Sequence, residues 1–121
     1  MKRRTFCASG LAALTVASLP VPRAVAALLA QHSDITALGL DGKQHTLTAA
    51  EVQELRAALH GELLSPGQEG YDGARRLWNA AFDKKPALIA RCADAADVQQ
   101  AVRFASAHTL LTAVRGGGHS L

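Results

Sequence analysis

Apolar positions recur along this chain with two periods, and the switches between them mark its elements. Ile35 to Leu40 and Gln44 to Leu47 are short β-prone runs on either side of Asp41-Gly42, a dipeptide that accepts the backbone angles of a tight hairpin turn. The spacing then becomes helical. Val52, Leu55 and Leu59 share one face, Thr48 and Glu51 stand ahead of it at capping-box spacing, and Gly61 suits a helix stop. Beyond Ser65-Pro66-Gly67, Tyr71 and Trp78 are i, i+7 apart, so a helix over Tyr71 to Ala81 would pack both rings on a sheet.

Pro86 opens Ala87-Leu88-Ile89-Ala90, a buried strand by composition. Asp94 and Asp97 have a cap and first-turn arrangement. Val98, Ala101, Val102 and Ala105 follow at helical spacing to an end near His108, and Leu110 to Val114 reads as another strand. Strand, helix and strand make a βαβ unit with a glycine loop beyond the carboxyl end of its second strand, where ligands sit in such sheets. The expected class is α+β. The expected division is a leader over 1–26, an accessory hairpin and helix over 27–66, and the start of a binding domain over 67–121.

The leader rests on Lys2, Arg3, Arg4, Thr5 and Phe6, a mildly apolar stretch from Cys7 to Leu19, and the small-x-small site Ala24-Val25-Ala26. Paired arginines followed by Phe6, with Arg23 before the cut, are similar to the twin-arginine export type. The resemblance implies passage through the twin-arginine machinery as a folded protein, to the periplasm or outside of a bacterium. The apolar stretch falls short of the roughly 20 residues of a stable membrane span.

Processing also changes the charge. Lys2, Arg3, Arg4 and Arg23 are four of the thirteen Lys and Arg residues; without them nine face ten acidic groups, so the formal charge goes from +3 to −1. No basic stripe with interleaved aromatics remains, which excludes a nucleic-acid partner, and Arg75-Arg76 and Lys84-Lys85 read as solvated surface. Of the two cysteines, Cys7 lies in the leader, so the mature chain has no internal disulfide and Cys92 is expected as a small buried side chain. His32, His45 and His60 stand too far apart in sequence to read as metal ligands.

The candidate chemistry sits at Arg115, Gly116, Gly117, Gly118, His119 and Ser120. Three glycines leave no side chain between backbone N–H groups and an approaching phosphate, Arg115 can donate to an anion, Ser120 offers a hydroxyl and His119 a nucleophilic nitrogen. A turn without ligand remains the other reading of the glycines alone. The Gly-Lys-Ser/Thr of a P-loop is absent, and these glycines are contiguous where the nicotinamide fingerprint spaces them.

Tyr71, Asp72, Ala74, Arg75, Trp78 and Asn79, then Pro86, Ala87, Ile89 and Cys92, then Asp97, Val98, Ala101 and Val102, and Ala113 through Ser120 carry a resemblance. In order and spacing they resemble the berberine-bridge-enzyme-like flavin oxidases, within the vanillyl-alcohol-oxidase (PCMH-type) FAD-binding fold. The resemblance implies that Arg115 to Ser120 wrap the FAD pyrophosphate and that His119 is bonded to the flavin 8α-methyl carbon; by its place on the helix face, Trp78 is expected in the core more than in a flavin stack. It implies oxidation of an alcohol or sugar-like C–H by hydride transfer to flavin, with a small-molecule substrate and an electron acceptor such as oxygen. It also implies an incomplete FAD domain here, with no catalytic base and no metal assignable within these residues. The alternatives from other classes are a small exported binding protein whose glycines only turn the chain, and an inactive remnant.

Overall fold

The computed structural model describes residues 33–119; residues 1–32, with the expected leader, and Ser120 and Leu121 lie outside the described residues. Strands β1 (Ile35–Leu38) and β2 (Gln44–Leu47) pair antiparallel, Ile35 opposite Leu47. The turn between them forms where Asp41-Gly42 predicts it. Gly42 has φ +76°, and the Asp41 carboxylate accepts the Lys43 N–H at 3.0 Å. Alternation along the strands turns Ala37 and Leu47 inward.

Helix α1 (Ala49–Ala58) opens on the predicted capping box. The Thr48 hydroxyl accepts the Glu51 N–H at 3.3 Å, and the Glu51 carboxylate accepts the Thr48 N–H at 2.8 Å. Val52, Leu55 and Leu59 are buried, as their spacing requires. Gly61 has a different role from the helix stop expected of it. The helix ends at Ala58, Leu59 is already extended, and a Cβ on Gly61 would collide with the Arg91 carbonyl oxygen and stand 2.9 Å from the Ala93 nitrogen. Glycine is needed there for close approach of two backbones.

That approach joins β3 (Glu62–Leu64) to β4 (Ile89–Arg91), antiparallel, with Leu63 opposite Ala90. The expected parallel βαβ pairing is not formed among the described residues. Helix α3 (Ala95–Ala107) ends in a Schellman turn: Leu110 N–H donates to the Ala105 carbonyl at 2.8 Å and Thr109 N–H to the Ser106 carbonyl at 3.1 Å, with Thr109 at φ 53°. This turn sends the chain back along β1 instead of alongside β4. Leu110 bridges Gly39 antiparallel, Leu111 N–H reaches the Leu38 carbonyl at 2.8 Å, and residues 111–115 belong to no strand.

The described residues therefore form a mixed α/β unit of two small antiparallel sheets and three helices around one core. Leu47, Val52 and Leu63 are at most 2% exposed at its centre, with Phe104 and Leu110 packed against it. Its α3 face is Asp97, Ala101, Phe104 and Ala105, while Val98 and Val102, expected inward, are about half exposed at 48% and 51%. Helix α2 (Tyr71–Arg75) stops well short of Ala81. Its central Gly73 disfavours helix and Arg76 is extended, so Trp78 leaves the face of Tyr71 and is 82% exposed, not packed in the core as expected. No helix among the described residues is long and apolar enough to cross a membrane.

Candidate functional site

The segment from Tyr71 to Pro86 is a clamp. Tyr71 is buried and its hydroxyl donates to the Pro86 carbonyl at 2.6 Å; burial also pushes its phenol above the usual value. The Arg75 guanidinium, expected on solvated surface, is mostly enclosed and bonds Asp72 at 2.7 Å and Asp83. Its hydrogen bond holds the Asp72 carboxyl below the ordinary range. These contacts fix α2 and the return of the chain toward β4.

The glycine loop is tied to that clamp. Arg115 Nη1 donates to the Ala74 carbonyl in α2. The same guanidinium lies over Gly118, whose φ is +72°; a Cβ there would stand 2.9 Å from Arg115 Nε. Gly116 has nothing within 4 Å of where a Cβ would be. No described residue accepts a hydrogen bond from the Gly116, Gly117 or Gly118 amide. His119 is exposed, its ring beside Gly117, with Cδ2 2.9 Å from the Cβ position there. The structure thus brings Arg115 through His119 together as an open turn whose glycine amides meet no acceptor among the described residues, and Ser120 lies outside the described residues. That donor set suits an anion, and the uncovered backbone at Gly116 fits the close approach of a pyrophosphate.

A second constellation escaped the sequence reading. The Asp94 side chain caps α3 by accepting the Asp97 N–H at 2.9 Å, as predicted, and its other oxygen meets His60 Nδ1 at 2.7 Å. Asp97, fully buried, accepts the His60 N–H and Gly61 N–H at 2.8 Å each and the Ala93 N–H at 2.9 Å. The backbone hydrogen bonds, Ala93 foremost, lower its pKa, and the Asp94 hydrogen bond raises that of His60. The candidate donor atoms of His60, Asp94 and Asp97 lie within 4.8 Å of one another. Both Asp97 oxygens are committed to backbone amides, so the cluster reads as a structural junction. Only the helical pattern starting at Asp97 could have hinted at its inward placement.

Cys92 corrects another expectation. It is exposed, in a shallow concavity with His60, Gly61, Glu62 and Arg91 that includes no residue of the glycine loop. Desolvation first, then the Asp97 and Asp94 charges, push its thiol above 9.0, so it is no activated thiolate. His45 is paired with Asp41 at 3.1 Å, and His32 lies outside the described residues.

These features define a mixed α/β chain whose glycine loop is anchored to the Tyr71–Pro86 clamp. No protein-family profile matches it. Over 63 residues, 52% of the chain, it is 38% identical to the (R)-6-hydroxynicotine oxidase of Paenarthrobacter nicotinovorans. The matched stretch is 14% of that relative's length.

Proposed function

We propose that this chain supplies the pyrophosphate loop of an FAD-linked oxidoreductase, with Arg115 to Ser120 as the loop and His119 as the residue covalently attached to the flavin. The observation that carries the reading is the 38% identity over 63 residues to an oxidase. The loop adds a physical reason, because its amides, without acceptors among the described residues, and its open Gly116 suit a diphosphate. FAD, when bound, supplies a hydride acceptor for oxidation of a substrate C–H. The part of these residues is to bind it: the amides of Gly116 to Gly118 take the anion, and an exposed imidazole at His119 holds the ring system.

The proposal includes a berberine-bridge-like, PCMH-type FAD domain completed by further sequence. A small molecule such as an alcohol or sugar is its substrate, with oxygen or another compound as acceptor. Twin-arginine export would carry the cofactor out inside a folded protein.

The test is a denaturing gel of the native protein from its source, probed with antibody to residues 27–121 and scanned for flavin fluorescence. A fluorescent antibody-positive band that goes dark in His119→Ala is the expected result. A dark wild-type band sinks the flavin attachment, and a band that stays fluorescent in His119→Ala sinks the assignment to His119.

A further inference from the structure

We infer that Arg115 is a positioning residue, a tether that holds the glycine loop in its anion-receiving shape; the inference rests on the pyrophosphate reading of that loop. The guanidinium reaches from the loop to α2. Nη1 donates to the Ala74 carbonyl, 41 residues away, while Nε and Nη2 stand 2.9 and 3.1 Å from the point where a Cβ on Gly118 would be. Ala74 lies in the last turn of α2, where backbone carbonyls lack helical partners, so the guanidinium satisfies an acceptor that would otherwise need water.

The anchor itself is fixed. Tyr71 at the start of α2 is bonded to Pro86, and Arg75 next to Ala74 is bonded to Asp72 and Asp83. The loop therefore closes on its own first side chain, and that side chain is bolted to a clamped helix. Gly118 completes the device: its φ of +72° is one that side chains rarely adopt, and a Cβ there would push against the guanidinium above it. Consecutive glycines left free would sample many shapes, and ordering them beforehand lowers what anion binding must spend in entropy.

The experiment has two readouts. Backbone 15N relaxation of Gly116, Gly117 and Gly118 is measured in the flavin-free full chain for wild type, Arg115→Ala, Arg115→Lys and Gly118→Ala. Acid-stable flavin incorporation is followed for the same variants in the protein as its source makes it. Arg115→Ala is expected to drop the order parameters of the three amides from near 0.85 to below about 0.6 and to slow incorporation about tenfold. Arg115→Lys restores part of both. Gly118→Ala, which displaces the guanidinium with Arg115 intact, loosens the loop as Arg115→Ala does.

Unchanged order parameters in Arg115→Ala together with slowed incorporation would place the guanidinium on the anion and overturn the tether. Unchanged values in both readouts overturn it as well. A loosened loop in the variants, with no flavin in any form including wild type, upholds the tether and fails the pyrophosphate reading.

Discussion

Asp97 accepts the backbone N–H of Gly61 at 2.8 Å across 36 residues of sequence, from a side chain with no exposed surface. The same carboxylate takes the amides of His60 and Ala93, so it ties the exit of α1 to the exit of β4 at the first turn of α3. Three backbone donors thus depend on one side chain. Asp97→Ala leaves all three without an acceptor, and the folding equilibrium constant should fall by at least about a hundredfold. Asp97→Asn should lose nearly as much, because its amide nitrogen replaces an acceptor with a donor. Urea denaturation checks both, with the midpoint falling at unchanged slope; a midpoint within error of wild type would remove Asp97 from the junction.

The junction makes stability depend on pH from two sides. Asp97 is depressed below 3.8 in the fold, so its contribution is present above that value and is lost as pH falls through the lower folded pKa. His60 is raised above 6.5 by Asp94, so its contribution is full below 6.5 and disappears as pH rises through the raised value. His60 is 70% exposed, which keeps the alkaline loss small. In an NMR titration His60 should titrate above 6.5, and Asp94→Asn should bring it back toward 6.5. A wild-type value at or below 6.5 rules the pair out.

Gly61→Ala should be among the most damaging single-methyl changes in the chain. Its Cβ meets the Arg91 carbonyl and lies 2.9 Å from the Ala93 nitrogen, both backbone atoms that no rotamer change can move. Relief requires separating β3 from β4, and the expected cost is about 3 kcal/mol. Exchange of the amides bonded across the β3–β4 pair should rise with it. Wild-type protection at those amides would show that the strands accommodate the methyl.

Where the chain's structure is local, its sequence is readable. The Asp41-Gly42 turn, the Thr48–Glu51 box, the Val52, Leu55 and Leu59 face and the Asp94 cap each involve residues within a turn or two of one another, so spacing alone determines them. Pairing over distance was not readable in this way. Glu62 to Leu64 is too short to show a period, and nothing near it announces Ile89 to Arg91 as partner. Leu110 to Val114 has the composition of a strand, yet its direction is set by a turn at Thr109, a residue type that rarely makes one. For the loop, the sequence identifies the glycines and Arg115, while the guanidinium's partner, the Ala74 carbonyl, is a backbone atom without a sequence signature.

That turn yields the last prediction, because two opposing effects meet at Thr109. A β-branched residue at φ 53° bears the left-handed penalty of about 1–2 kcal/mol. Glycine removes that penalty but gives the unfolded chain more freedom, which costs about 0.5–1 kcal/mol. The Schellman hydrogen bonds to Ser106 and Ala105 are backbone to backbone and survive the change. The first effect is larger, so Thr109→Gly should raise stability by about 0.5 kcal/mol. Asn, which tolerates the left-handed region, should fall between the two. Thr109→Pro cannot adopt positive φ and also removes the N–H donated to Ser106, so it should destabilise the chain. Chemical denaturation of the three variants gives the order. A Thr109→Gly midpoint below wild type would mean that the threonine makes a favourable contact outweighing its backbone strain.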